Sequence, residues 1–475
     1  MKRPHRFALP LILSGTFMVT LDFFIVNVAL PSIQRDLQAS AAELELVVIG
    51  YGLAIAATLI TGGRLGDMHG RRRLFVVGVA LFTLASAACG LAPTAGLLVA
   101  ARVGQGVAGA LLQPQVLAML GVLYEGGERA KAFAAYGLAL GLGAAGGQLI
   151  GGVLIHADLA GLGWRSCFLI NVPIGVLALT LVGRVLPTIQ GLRASRLDLP
   201  GMVLVAVALT ATVFPLVQGR AEGWPAWSLV CLAGSVPLLA WFWRNQRSLA
   251  SRGGQPLIAP SLLENRRFAL GLLVSLLFYI GNASLYFVLA LYLQQGLELS
   301  ALRSGLVFTM LAAGFFATST AAPWFTRRLG HDAIFVGALV LAAGDAALYA
   351  IVDTLSTANV AVMLPMLLVQ GCGLGMIMAP LVSVVLADLP AEHAGAASGV
   401  LGTVQQVGNT LGVALIGILY FGALSRNVEA GAAAHAFAVS LLYLLASALG
   451  VAALYWLFNH NASDAKNPGS ESLIR

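Results

Sequence analysis

Charge is scarce in this sequence. Only 10% of its 475 residues are Asp, Glu, Lys or Arg, while 59% are hydrophobic. A soluble domain covers its core with a polar shell, so a mean hydropathy of +0.89 excludes that class and leaves an integral membrane protein. Lysine is rarer still, present only as Lys2, Lys131 and Lys466. With no GxxxxGK[ST] phosphate loop, hydrolysis of ATP in the P-loop manner is excluded. The cysteines are few and solitary. Cys89, Cys167, Cys231 and Cys372 show neither metal-type nor disulfide spacing and read as packing residues. The histidines fall in or beside loops, and GAASGV lacks the Gly-x-Ser-x-Gly spacing of a hydrolase. The chain is therefore not expected to be an enzyme, and no metal and no cofactor are expected. Ten-residue alternation is missing too, which excludes a transmembrane barrel.

What the chain has instead is long apolar runs, at about 7–30, 46–62, 74–91, 97–122, 132–155, 166–183, 199–217, 226–243, 268–293, 305–325, 333–352, 360–387, 396–424 and 436–458. Most reach the roughly 20 residues that cross a bilayer core. Fourteen transmembrane helices are expected. The first run is too long for a signal peptide, carries Asp22 in its middle and has no convincing cleavage site. With the N-terminus inside, 21 of the 27 Lys and Arg residues fall in cytoplasmic segments, as the positive-inside rule requires. The net charge of +7 is thus a topology signal and does not argue for nucleic acid. Both termini are expected in the cytoplasm.

Internal repetition divides the chain. QGVAGALLQP (105–114) and QGCGLGMIMAP (370–380) share a Gln-Gly start, small residues and a closing Pro. RLGDMHGRRR (64–73) and FTRRLGHD (325–332) each place a Gly in a basic loop after the second helix of a half. The expected organisation is all-α: a six-helix bundle over 1–186 and a central linker with inserted helices 7 and 8 over 187–267. A second six-helix bundle follows over 268–458, with a cytoplasmic tail over 459–475. Transporters are commonly built from such repeats, with a site between them.

The stretch 64–73 reads as the turn between helices 2 and 3. There Gly66 and Gly70 permit tight backbone turns, Arg71 to Arg73 face the anionic inner leaflet, and Asp67 caps or faces a helix N-terminus. GRLGDMHGRR from Gly63 to Arg72 resembles the loop signature of the major facilitator superfamily. LDFFIVNVALPSI (21–33), RVGQGVAGA (102–110) and WRSCFLINVPIG (164–175) resemble its first-, fourth- and sixth-helix signatures. Together they place the resemblance in the fourteen-helix drug:proton antiporter branch. One departure stands out: the branch has Gly-Pro-x-x-Gly-Gly in helix 5, where this chain has GQLIGG (147–152), with Gln148 at the Pro position. Gly143, Gly147 and Gly151 still leave a smooth face for close packing.

Ionisable residues inside a membrane are functional candidates by default. Asp22, Arg102 and Asp345 are the candidates for proton coupling. At about 1.5 Å per residue Asp22 lies roughly 13 Å from the outer end of helix 1, and Arg102 about 8–10 Å below the outer end of helix 4. A buried carboxyl group prefers its neutral form and a nearby guanidinium favours the charged one. Movement of Arg102 relative to Asp22 therefore changes proton affinity between conformations. In this reading the proton and a cationic substrate exchange at Asp22. Phe23, Gln113, Gln148, Tyr286, Gln405, Gln406 and Asn409 are candidates for an apolar substrate cavity with a few polar groups. Gly63, Asp67, Gly70, Arg71, Arg72, Gly147, Gly151 and Gly152 are candidates for conformational gating. So are Pro114 and Pro380, expected to kink helices 4 and 12.

The resemblance implies a multidrug efflux transporter of the bacterial inner (plasma) membrane, exporting amphiphilic, cationic or aromatic compounds in exchange for protons by alternating access. Its partners are protons, a small amphiphilic substrate and membrane lipids, with neither nucleic acid nor ATP. An accessory periplasmic export protein is a further partner consistent with it. The alternative is a proton-coupled importer, or an exporter of one specific metabolite or antibiotic, because one fold serves both directions.

Overall fold

The computed structural model describes residues 7–187, 197–386, 394–426 and 431–464. Every regular element among them is helical. The N-terminal half holds α1 (Ala8–Leu37), α2 (Ala41–His69), α3 (Arg71–Gly90), α4 (Ala95–Leu123), α5 (Gly126–Ala157) and α6 (Gly163–Val185). A hairpin follows, α7 (Leu199–Ala221) and α8 (Ala226–Ser251). The C-terminal half holds α9 (Arg266–Gly296), α10 (Ala301–Thr320), α11 (Ala333–Ile351), α12 (Leu364–Leu386), α13 (Ala394–Arg426) and α14 (Ala432–Asp464). Thirteen of these are single helices long and apolar enough to cross a membrane, and α5 qualifies as a bent pair. The expected fourteen spans are present. Residues 188–196 of the linker, the acidic loop at 387–393 and the tail from 465 lie outside the described residues, as do Lys2, Arg3 and Arg6.

Polar caps start several helices where the apolar pattern alone gave no boundary. The Ser40 hydroxyl accepts from the Glu43 N–H while the Glu43 carboxylate accepts from the Ser40 N–H, a reciprocal capping box. That box starts α2 at Ala41, five residues before the apolar run, and so draws Glu45 inside the helix. Thr94, Asn265 and Ser300 cap α4, α9 and α10 by the side-chain oxygen alone, each accepting from a backbone N–H of the first turn.

The packing repeats with an offset of eight helices. In one half α1 packs on α5, α2 and α3 on α4, and α3 on α6; in the other α9 packs on α13, α10 and α11 on α12, and α11 on α14. The halves meet reciprocally, α5 on α10 and α13 on α2, with α1 beside α9. In a bilayer, close backbone approach replaces the hydrophobic effect as the cause of helix association. The glycines of α5 supply that approach. A Cβ at Gly143, Gly147 or Gly151 would collide with α1 at Thr20, Phe24 or Ile25, and one at Gly152 with the Ala301 carbonyl of α10. Across the same seam, a Cβ at Gly305 would meet the Gln148 carbonyl.

Several expectations need correction. Of the glycines in 64–73 only Gly70, at φ 93°, breaks the chain between α2 and α3. Gly66 lies inside α2, where the Gln115 amide occupies the space a Cβ would need. Asp67 caps nothing, since α3 has no side-chain cap; its carboxylate holds Arg71 at 3.1 Å. Pro114 and Pro380, where kinks were expected, stand apart from these corrections: they lie inside α4 and α12, which continue as helix on either side of them. A proline leaves the carbonyl four residues back without its helical donor. Pro114 does so to Ala110, and Gly62 of α2 packs against that oxygen. A bend of 40° lies in α5, between Ala144 and Gly146, although Gln148 stands at the expected proline position.

Candidate functional site

Asp22 lies on the face of α1 turned into its own half and has no exposed surface. Five of that half's six helices converge on it. Arg102 of α4, equally sealed, donates from Nη1 to Asp22 Oδ2 and to Gln105 Oε1 at 2.7 Å, and from Nε to the Val47 carbonyl of α2 at 2.9 Å. Gln105 Nε2 donates to Asp22 Oδ1 at 2.7 Å and to the Ser86 hydroxyl of α3 at 2.8 Å. Asn171 of α6 adds a donor to the same carboxylate oxygen at 3.0 Å. The Tyr51 ring lies 4.1 Å from the guanidinium carbon, a cation–π contact, and its hydroxyl donates to the Val19 carbonyl at 3.0 Å. A buried ion pair persists only when further hydrogen bonds satisfy both charges, and this shell does most of that; Arg102 Nη2 is left without a partner.

The second half repeats the scaffold with different chemistry. Gln370 of α12 corresponds to Gln105 in the repeated Gln-Gly stretch. Gln370 Nε2 donates at 2.5 Å to Asp345 of α11, as Gln105 donates to Ser86 of α3. The register is independently fixed by glycine: a Cβ at Gly78 would meet Leu112, seven residues after Gln105, and one at Gly337 would meet Ile377, seven after Gln370. Ser86 and Asp345 each lie eight residues beyond those glycines. Asp345 is buried and forms no ion pair among the described residues. A cavity of about 20 Å³, lined by Asn282, Ser447 and Asp345, lies beside it, with room for about one water.

Between the halves the structure is shut on one side. From Leu21 to Pro31 of α1 and from Asn282 to Leu293 of α9, every residue is buried. These stretches lie on the side of the α1–α2 connection, opposite the side where α1 begins. Phe24 meets Tyr286 edge-on at 4.7 Å, and Tyr286 stacks on Phe308 at 5.8 Å. Gln294 donates to the Val28 carbonyl at 3.1 Å and Gln295 to Gln34 at 2.8 Å.

The candidate substrate residues therefore divide. Phe23 and Tyr286 are packed into the closed seam. Gln148, fully buried, donates to the Phe24 carbonyl at 2.8 Å and ties α5 to α1. Gln113, Gln405 and Gln406 stay half-buried, and Asn409 donates to Gln406 at 2.9 Å. Of the gating candidates, Arg71 reaches the Ala118 carbonyl of α4 at 2.9 Å and Arg72 the Gly183 carbonyl of α6 at 3.4 Å. Gly63 lies against Pro114.

Four site residues escaped the sequence reading. Gln105 and Asn171 bind Asp22, and a readable signal for Gln105 was its place at the head of the repeated stretch. Glu45 and Arg220 pair with each other; each lies just outside an apolar run, where a charge is ordinary.

The Major Facilitator Superfamily family model matches residues 12–413. The chain belongs to this superfamily. Over 428 residues it is 41% identical to the probable actinorhodin transporter of Streptomyces coelicolor, covering 89% of this chain and 74% of that one. It is 36% identical to the puromycin resistance protein pur8 of Streptomyces alboniger, covering 99% and 95%. Among solved structures, the xylose transporter XylE from E. coli, partially occluded and inward open, superimposes with a TM-score of 0.64 over 95% of this chain and 98% of that one at 14% identity. That likeness shows the fold. As a superfamily member the chain is a multi-pass membrane transporter and not an enzyme.

Proposed function

We propose that this superfamily member is an exporter of amphiphilic small molecules, driven by protons entering a bacterial cell across its plasma membrane. The side where α1 begins is assigned to the cytoplasm, on the distribution of basic residues. The moving bodies are assigned to residues 1–186 and 268–458, with 187–267 as the linker carrying α7 and α8 and 459–475 as the tail. The observation that carries the reading is the Asp22–Arg102 pair, sealed within one half while the seam between halves is shut on the outer side. The relatives' names, a probable actinorhodin transporter and a puromycin resistance protein, support export.

Asp22 faces away from the seam, so proton and cargo do not exchange at one carboxylate, as direct competition requires. Coupling runs through α1, where Phe23 and Phe24 follow Asp22 and reach into the seam. When the halves part on the outer side, α1 shifts against α4 and Asp22 exchanges Arg102 for a proton; when they close, Arg102 displaces that proton toward the cytoplasm. One charge crossing 100 mV supplies about 2.3 kcal/mol, enough for a gradient of some tens-fold. Asp345, buried without a cation, is assigned as a second proton carrier. Gln113, Gln405 and Gln406 are assigned to the cargo cavity on the cytoplasmic side of the aromatic seal.

A susceptibility panel in cells lacking their own efflux pumps tests the reading. Cells carrying the wild type should resist a subset of lipophilic cations and aromatic antibiotics, and cells carrying Asp22→Asn, at equal protein level, should lose that resistance. Resistance retained by the variant contradicts it.

A further inference from the structure

The inserted hairpin α7–α8 is bound to one half at both of its ends. On the side where α1 begins, Arg64 of α2 donates to the Gln255 carbonyl at 2.7 Å and to that of Pro256, just beyond α8. The chain there is fixed to the hairpin, since Gln246 of α8 accepts from the Ile258 N–H at 3.1 Å and donates to Asp198 at 2.7 Å. On the opposite side, Arg220 in the last turn of α7 donates from Nη2 to Glu45 of α2. These bonds hold both ends of the hairpin to α2, while α7 also packs against α13.

Arg220 does not stop at α2. Its Nη1 donates at 3.1 Å to the Gly417 carbonyl of α13, in the other half, and its guanidinium lies 5.0 Å from the Phe421 ring of the same helix. Glu45 has no exposed surface, and its Oε2 has no partner. Gly417 is what lets the halves close over it: a Cβ there would fall on the carboxyl group itself. Three bodies therefore meet at one buried ion pair.

Among the described residues, no other charge shares this pocket. Glu43 is occupied in its capping box, Glu222 by Gln218 and Trp227, and Asp36 by Arg165 and Trp164. Arg35 of α1 turns back to the Pro31 carbonyl, and Arg426 lies exposed at the end of α13. Arg102 meets α2 two residues along, at the Val47 carbonyl, and is held by Asp22.

We propose that Glu45, Arg220 and Gly417 form the latch of the outer gate, and that the inserted hairpin is the strap that carries it. Glu45 and Arg220 are positioning residues: together they hold a donor against α13, and parting of the halves breaks the bond to Gly417 while α7 stays with α2. Removing one partner of a buried pair leaves an uncompensated charge, so the latch holds only while both are present and Gly417 has no side chain. The sidedness of the latch rests on the proposed orientation; its existence does not.

The test uses the full chain in nanodiscs, with its four native cysteines replaced, transport retained, and spin labels at the exposed positions Gln38 and Ser425, one in each half. Distances are measured by electron–electron double resonance. The parent should show mainly a short distance. Glu45→Gln, which loses the charge, and Gly417→Ala, which keeps both charges, should each raise the ratio of long to short distances about tenfold, the loss expected for one charged hydrogen bond. Arg220→Lys should fall between. Unchanged distributions in Glu45→Gln and Gly417→Ala, with or without a lower melting temperature, overturn the latch, because a merely structural pair would alter stability alone. The Asp22→Asn panel is independent of this result, so either idea can fail without the other.

Discussion

At the scale of single residues, the account depends on charges that have little water to fall back on. Arg102 and Asp22 are each fully buried, and removing one partner of such a pair costs about 3–5 kcal/mol, whereas replacing both by apolar groups is often neutral. Arg102→Leu alone should therefore lower the melting temperature in detergent well below that of the wild type, while Asp22→Leu with Arg102→Leu should recover most of the loss. Gln105 has a different part: it ties the pair to α3 and α4 without carrying charge. Gln105→Leu should slow transport while leaving the protein folded, read as reduced efflux at unchanged expression. The pairing of Asp22 with Arg102 was legible in the sequence because ionisable residues are so rare in these helices that matched depth nearly selects the partners. Asn171 was not, since nothing in its spacing sets it apart from the other amides in apolar runs, such as Gln148 and Asn409. Glu45 was hidden by a helix boundary that only the capping box reveals.

At the scale of helices, glycine decides which contacts exist. α5 presents Gly143, Gly147 and Gly151 to α1 and Gly152 to α10, so one helix joins its own half tightly and the other half along the closing seam. The two sets should respond differently. Gly147→Val, within a permanent contact, should reduce folded yield, read by size-exclusion chromatography. Gly152→Val should leave yield near that of the wild type and abolish most transport, because in the proposed cycle the Ala301 carbonyl, which meets Gly152 here, withdraws when the outer side opens. The glycine stripe toward α1 could be read from the spacing 143, 147, 151. The turn toward α10 could not, because the period of one helix says nothing about a neighbour 150 residues away in the chain. Gly66 illustrates the opposite error: a glycine beside a basic loop suggests a turn, yet here it makes room for Gln115.

At the scale of the whole molecule, two halves share a scaffold and differ in chemistry. Equivalent glutamines face Ser86 in one half and Asp345 in the other, so a carboxyl group stands in the second half at the place where the first has a hydroxyl. The fold was legible because fourteen apolar runs and the lopsided arginines fix the path of the chain, and the repeated Gln-Gly stretch fixes its symmetry. Which side is shut was not, since both conformations use the same sequence. A cross-link should hold the shut state: cysteines placed at Gln34 and Gln295, whose amides meet at 2.8 Å, should stop efflux when bridged by a short bis-methanethiosulfonate and recover it when the bridge is reduced. The most direct test of the central claim is transport by purified protein in liposomes made acidic inside, with ethidium added outside and lumenal pH followed together with dye accumulation. The wild type should concentrate ethidium while the lumen turns alkaline, and Asp22→Asn should only equilibrate it. Accumulation by Asp22→Asn at the wild-type rate, with the same alkalinisation, would contradict the account.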